Sequence, residues 1–225
     1  MRKRATESYQ AAVKTFERAK GSPSAAYFAA KSAFQLAEQD YARYARLGIT
    51  SKNSKVQMKE LEAKSQRLVA VETSFKNIIT TYKAAEWSLA SLYRVGALYD
   101  NLQQTVLKSP CPDDVRRLAG EVACDEYRNL IEDRAFAVEE KAVEAYRTAL
   151  NKAKELRLQN LWTRRTLEAT NLLRPAEFPI DKEPISRPQK GASPPLGPAL
   201  PDGGAPVLKA LGPGPGEQAQ KGGAG

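Results

Sequence analysis

The fold is decided by two stretches, Trp87-Ser88-Leu89-Ala90-Ser91-Leu92-Tyr93-Arg94-Val95-Gly96-Ala97-Leu98-Tyr99 and Lys141-Ala142-Val143-Glu144-Ala145-Tyr146-Arg147-Thr148-Ala149-Leu150. In both, alanine or glycine alternates with aromatic residues at helical spacing. A ring on one helix can then lie over an alanine or glycine of the other, which allows a close approach. The pattern predicts stacked helical hairpins, which favour binding of another protein over catalysis.

Glycine and proline divide the chain into two parts. Of the 14 prolines, 11 lie from Pro175 onward, and of the 14 glycines, 10 lie from Gly191 onward. The first part is rich in good helix formers, and no segment alternates with the period of a strand. We therefore expect an all-α domain over residues 1–179 and a disordered, low-complexity tail over residues 180–225.

Apolar residues at steps of three and four predict about seven helices in this domain. Asp113 or Asp114 is expected to cap the fifth helix, and a weak break near Arg134-Ala135-Phe136 is expected to separate it from the sixth. The expected helices run over residues 3–20, 24–47, 51–82, 85–108, 113–134, 137–156 and 160–173.

Charge and cysteine content narrow the classes of function. The net charge of +9 favours acidic partner segments. The basic residues are dispersed among acidic ones, which indicates a solvated, mixed-charge surface. The chain has no histidine, which excludes every zinc site that needs one. We interpret Cys111 and Cys124 as two free thiols, although a disulfide between them is open.

Several residues resemble the tetratricopeptide repeat, whose period is about 34 residues. Helices two and three are longer than the helices of the standard repeat, and the proline that closes the repeat is mostly missing. The resemblance therefore implies a degenerate, elongated α-solenoid. The matching residues are Leu92, Val95, Gly96 and Tyr99; Ala142, Tyr146 and Ala149; Ala12, Phe16 and Ala19; and Ala37, Tyr41 and Tyr44, which recur 34 positions later as Val71, Phe75 and Ile78.

Residues 5–180 also resemble the C-terminal part of large tetratricopeptide-repeat proteins of gliding myxobacteria. Those proteins are cell-envelope components associated with adventurous gliding motility, so the resemblance implies a scaffold in the periplasm or cell envelope. The segments that carry it include Glu86-Trp87-Ser88-Leu89-Ala90, Ser109-Pro110-Cys111-Pro112 and Leu173-Arg174-Pro175-Ala176-Glu177-Phe178-Pro179. As encoded, the chain begins without a signal peptide and would be cytoplasmic.

The best candidates for partner binding are Tyr93, Arg94, Ala97 and Asp100, which fall near positions that line the concave groove of tetratricopeptide units. We interpret Gly96 as a close-packing glycine and the two tryptophans as packing residues. The arginine pairs Arg116-Arg117 and Arg164-Arg165 are interpreted as solvent-facing. No catalytic residue, metal ligand, cofactor or small-molecule substrate is expected, because neighbouring carboxylates on a helix do not converge on one pocket.

The leading hypothesis is a non-catalytic scaffold that binds a protein partner in a groove. An elongated antiparallel coiled-coil spacer is the alternative, supported by the seam of helix three at Leu68, Val71, Phe75, Ile78 and Tyr82. A basic helical nucleic-acid binder is less favoured, because no recognised nucleic-acid motif occurs. No membrane span is expected, and the apolar stripe of the first helix predicts self-association through that helix.

Overall fold

A computed structural model of the chain describes residues 2–19 and 22–180, which belong to one compact unit spanning Met1–Asp181. Within these residues the fold is entirely helical, which confirms the predicted class, and no helix has both the length and the apolar character needed to cross a membrane. Apart from Ile180, the expected tail lies outside the described residues. The helices are α1 (Arg2–Ala19), α2 (Pro23–Ala45), α3 (Ser54–Tyr82), α4 (Ala85–Leu107), α5 (Asp113–Glu155) and α6 (Leu161–Leu173).

Helices that lie close together are also close in sequence. Within the described part of the chain, helices whose backbones contact each other are either consecutive or next but one. The N-terminal ends of α3 and α5 meet, because the Tyr127 hydroxyl donates to Gln57 Oε1 over 2.8 Å. At their other ends, Ile79 of α3 and Asn151 of α5 border the same cleft as Ala85, at the start of α4. Helix α4 therefore runs antiparallel to both α3 and α5.

Helix α4 is the centre of the unit and contacts α2, α3, α5 and α6. Its closest approach is to α5, where the Tyr146 ring lies directly against Gly96. A Cβ atom added to Gly96 would lie 2.5 Å from Tyr146 Cδ1 and 2.9 Å from its Cγ. The interpretation of Gly96 as a close-packing glycine is confirmed, since only a residue without a side chain leaves room for this ring.

The aromatic core between α2, α3, α4 and α6 is centred on Phe34, whose ring is 1% exposed. Its centroid lies 5.6 Å from that of Phe75 and 5.3 Å from those of both Trp87 and Trp162. Tilted and edge-on ring pairs at such distances add stability beyond that of buried area. The interpretation of both tryptophans as packing residues is confirmed.

Helix α5 is interrupted at a different place from the predicted one. The break expected near residues 134–136 is wrong, because the helix passes through Ala135, which is 1% exposed; the interruption lies instead at Ala119 and Gly120. Gly120 has a φ of +62°, which glycine adopts without the strain that a side chain would cause. In the part of the chain that the structure describes, six helices therefore replace the expected seven.

The expected capping of the fifth helix by an aspartate is also wrong. Pro112 occupies the cap position of α5 and provides no side-chain hydrogen bond. The Asp114 carboxylate instead accepts from the backbone N–H of Ser54, at 3.1 Å, and from the Ser54 hydroxyl. These hydrogen bonds at the start of α3 lower the pKa of Asp114. The residue thus stabilises the N-terminus of α3, which lies 60 positions earlier.

The interpretation of the two cysteines as free thiols is wrong. Cys111, in the loop after α4, forms a disulfide with Cys124 on α5, and their Cα atoms are 5.6 Å apart. A straight helix would place Cys124 about 16 Å along its axis from Asp113. The non-helical backbone at Ala119 and Gly120 is therefore needed to bring Cys124 close to the loop. Gln57 holds the same loop by donating to the Pro110 carbonyl over 2.7 Å.

We expect Gly96→Ala to lower the free energy of unfolding by about 1–3 kcal/mol, because the added methyl group overlaps the Tyr146 ring. Helix propensity alone would make the alanine variant more stable by about 1 kcal/mol. The sign of the change in the free energy of unfolding therefore separates the packing effect from helix propensity. Urea unfolding measures the difference. In a Tyr146→Leu background the cost should shrink or reverse, and an unchanged wild-type stability in Gly96→Ala would contradict this packing.

We expect reduction of the disulfide to lower the free energy of unfolding by about 3 kcal/mol, as for other loops of this length. Urea unfolding with and without reductant measures this. The double variant Cys111→Ser/Cys124→Ser is the control and should match the reduced protein in both conditions. Titration of two free thiols in the unfolded, non-reduced chain would show that no disulfide forms.

Candidate functional site

The four predicted binding residues lie together on one face of α4, between α2 on one side and α5 and α6 on the other. Tyr93, Arg94 and Asp100 are half-buried, and Ala97 is 7% exposed. Tyr93, Arg94 and Asp100 lie beside Tyr41 of α2 and Tyr146 of α5. We call these five residues the tyrosine crevice. Steps of three and four along α4 place its members on the same side of the helix.

Arg94 forms the polar link between α4 and α2. Its Nε donates to Glu38 Oε1 at 2.5 Å and its Nη2 donates to Glu38 Oε2 at 2.6 Å, which is the bidentate geometry of a strong ion pair. The guanidinium also lies 4.5 Å from the centre of the Tyr41 ring and 5.4 Å from that of Tyr93. Arg94 therefore already has an internal partner.

Tyr93 connects α4 to α5 and α6 through its ring. Its centroid lies 5.8 Å from that of Tyr146 and 5.7 Å from that of Trp162. Tyr146 itself is 1% exposed, and this burial raises the pKa of its hydroxyl. The rings thus form a continuous aromatic wall along one side of the crevice.

Asp100 is the carboxylate of the crevice. Within the described residues its carboxylate forms no ion pair, since the neighbouring arginine is paired with Glu38. Burial raises the pKa of Asp100, and the nearby negative charge of Glu139 raises it further. A half-buried carboxylate without a donor is costly and is often found where a ligand binds.

Sequence reasoning did not identify Glu38 or Tyr41 as site residues, and it assigned Tyr146 only to packing. The pairing of Arg94 with Glu38 joins residues 56 positions apart, so no local pattern could indicate it. A useful signal was nevertheless present, because Tyr41 and Tyr146 both belong to residues that match the tetratricopeptide repeat. Contact of the four predicted residues with a partner stays a prediction.

The arginine pairs lie outside this site, as expected. Arg116, Arg117, Arg164 and Arg165 are all exposed, which confirms their interpretation as solvent-facing. Arg116 pairs with Glu121, and Arg164 lies 3.8 Å from Glu168. Within the described residues, no group of three or more histidine, cysteine, aspartate or glutamate side chains is placed to hold a metal ion.

Lys64 is a buried cation that sequence reasoning missed. It has no exposed surface, and its Nζ donates to the Leu47 carbonyl at 2.7 Å and to Asn101 Oδ1 at 2.8 Å. The ammonium also lies 4.5 Å from the centre of the Tyr44 ring. Within the described residues no carboxylate pairs with Lys64, and burial lowers its pKa to about 8. The lysine ties the end of α2 to α3 and α4.

We expect the Lys64 pKa to make stability rise with pH. The unfolded chain holds this proton up to about pH 10.4, whereas the folded chain releases it near pH 8. Between these values the unfolded state binds more protons, so the folded state gains stability as the pH increases. From pH 7 to 9.5, the wild type should gain about 1–2 kcal/mol relative to Lys64→Met, measured by urea unfolding.

Exposed Lys59 lies on the same helix, so Lys59→Met is the matched control and should follow the pH dependence of the wild type. The pH range ends below 10 because burial raises the pKa of Tyr44 and Tyr146. At higher pH the unfolded chain loses these phenol protons while the folded chain keeps them, so the folded state loses stability. Parallel pH profiles of the wild type and Lys64→Met would contradict the lowered pKa.

The chain was compared with known protein families, with curated proteins and with solved structures, and no match was found in any of the three. The resemblance to tetratricopeptide repeats and to gliding-motility envelope proteins therefore stays a prediction.

Proposed function

We propose that this chain is a non-catalytic protein–protein interaction scaffold. In this proposal the helices are stacked antiparallel hairpins that form a degenerate, tetratricopeptide-like solenoid. The order of helix contacts supports this, because each unit of a solenoid contacts only its neighbours in sequence. Helices α2, α4 and α6, which follow one another in contact, would be its inner layer, and α1, α3 and α5 its outer layer.

The observation that carries the proposal is the face that α4 presents between α2 and α5. A helix in contact with four others would ordinarily bury apolar residues on every side. This face instead carries half-buried Tyr93, Arg94 and Asp100, and it ends at exposed Gln104. Aromatic and arginine side chains in a partly desolvated setting are typical of residues that dominate protein interfaces.

The disulfide supports a location in an oxidising compartment. Structural disulfides persist in secreted, periplasmic and cell-surface proteins and are rare in the cytosol, where thiols are kept reduced. A scaffold in a cell-envelope assembly, as the resemblance implies, agrees with the Cys111–Cys124 bond. An association with gliding motility rests on the resemblance alone.

An elongated helical spacer is the second candidate. The seam expected for a coiled coil in α3 is buried along its whole length, from Leu68 at 4% exposed to Tyr82 at 9%. Helix α3 has 29 residues and would measure about 43 Å at the usual rise per residue. A spacer needs this length and has no requirement for an open face on α4.

We expect a bulky residue at the exposed end of the α4 face to block the binding of a partner. The full-length chain, immobilised, should capture a defined set of proteins from an envelope extract of its source, and Gln104→Trp should lose them. Asn129→Trp is the matched control, because Asn129 is exposed on α5 and forms no hydrogen bond within the described residues. Circular dichroism checks that both variants remain folded.

Equal capture by the wild type and Gln104→Trp would show that the α4 face is not the binding surface and would favour the spacer. If no protein is captured by any form of the chain, the scaffold proposal fails. Loss of capture in both tryptophan variants would indicate a nonspecific effect of the added ring and would also count against the α4 face.

A further inference from the structure

The tyrosine crevice contains a negative charge that nothing in the described chain neutralises. Arg94 is paired with Glu38, Arg174 is paired with Glu139 and Glu140, and Lys141 lies 5.8 Å from the centre of the Tyr99 ring without an ion pair to Asp100. Lys64 donates to Leu47 and Asn101. Asp100 is thus a half-buried carboxylate close to the acidic Glu139, and it forms no ion pair with any cation of the described residues.

The Tyr146 hydroxyl provides a second, independent observation. Tyr146 is 99% buried, yet its hydroxyl forms no hydrogen bond within the described residues. The side-chain atoms that are sealed from solvent without a partner are Trp87 Nε1 and Ser91 Oγ, and the Tyr146 hydroxyl is not among them. The Tyr146 hydroxyl therefore keeps a small contact with solvent. Asp100, Tyr93 and Tyr41 all lie close enough to affect its ionisation.

The polar atoms of the crevice other than those of Arg94 can accept hydrogen bonds. Asp100 provides carboxylate oxygens, and the phenols of Tyr41, Tyr93 and Tyr146 provide oxygens that accept as well as donate. The aromatic faces also attract cations, and Arg94 already lies over two of them. An anion would instead meet the negative charges of Asp100 and Glu139.

We propose that the tyrosine crevice binds the cationic side chain of a lysine or arginine in a partner segment, with Asp100 as its counter-ion and the Tyr146 hydroxyl as a hydrogen-bond acceptor. This inference rests on the proposed scaffold function and specifies the chemistry of its partner. Because the chain carries a net charge of +9, a strongly basic partner would be repelled. The segment therefore presents one cation within a neutral or acidic stretch.

Nα-acetyl-lysine amide tests this directly when it is titrated into the full-length chain at neutral pH and followed by NMR. Nα-acetyl-arginine amide provides the guanidinium arm, and Nα-acetyl-norleucine amide has the lysine hydrocarbon without its charge. We expect roughly millimolar binding of at least one cationic probe, with shifts at Tyr93 and Tyr146 and at least about tenfold weaker binding of the norleucine probe.

Two variants keep the test independent of folding. Asp100→Asn removes the charge at nearly constant shape and should weaken cation binding at least about tenfold. Tyr146→Phe keeps the ring against Gly96 and removes only the hydroxyl, so it should weaken binding about threefold or more without lowering the Tm. Asp133→Asn, at an exposed position of α5, is the matched control for net charge and should bind as the wild type does.

Equal binding of the norleucine probe, or unchanged affinity in Asp100→Asn, would overturn the cation site. Absence of binding by both cationic probes would also overturn it, while capture blocked by Gln104→Trp would leave the scaffold function standing. Conversely, probe binding that depends on Asp100 would support the site even where the capture experiment fails.

Discussion

The contact between the Tyr146 ring and the backbone of Gly96 fixes the distance between α4 and α5. The two helices can approach this closely only because α4 has no side chain at that position. The same constraint explains the small residues elsewhere on α4, where Ser88, Ala90 and Ser91 are all buried. A helix that contacts four neighbours needs small residues wherever another helix or a large ring comes near.

The central position of α4 also determines where polar groups lie. Because α4 has neighbours on most sides, its polar side chains fall within interfaces, where each needs a partner. Gln103 donates to Glu139 of α5, Arg94 to Glu38 of α2, and Asn101 accepts from Lys64 of α3. These pairs connect α4 to three helices and disfavour sliding of one helix along another. Trp87 Nε1, Ser91 Oγ and the Asp100 carboxylate are exceptions on α4 within the described residues, and of these Asp100 alone carries a charge.

The start of α5 is held by a different set of interactions. The disulfide joins the loop after α4 to α5, Asp114 accepts from the Ser54 N–H at the start of α3, and Gln57 donates to the loop carbonyl at Pro110. The first part of α5 has little apolar contact, with Leu118 81% exposed and Val122 65% exposed. A covalent bond and hydrogen bonds therefore replace hydrophobic packing in holding this segment.

The sequence by itself determined the helical class, most helix ends and the packing role of Gly96. Each follows from local chemistry: breakers end helices, and spacing selects a face. The four candidate residues could be placed on one face of α4 for the same reason. Only the tertiary structure decided the disulfide, the turn at Gly120 and the pairing of Arg94 with Glu38. Those features depend on contacts between segments that are distant in sequence. Because α2 places Glu38 beside Arg94, Arg94 pairs with Glu38, and Asp100 forms no ion pair within the described residues.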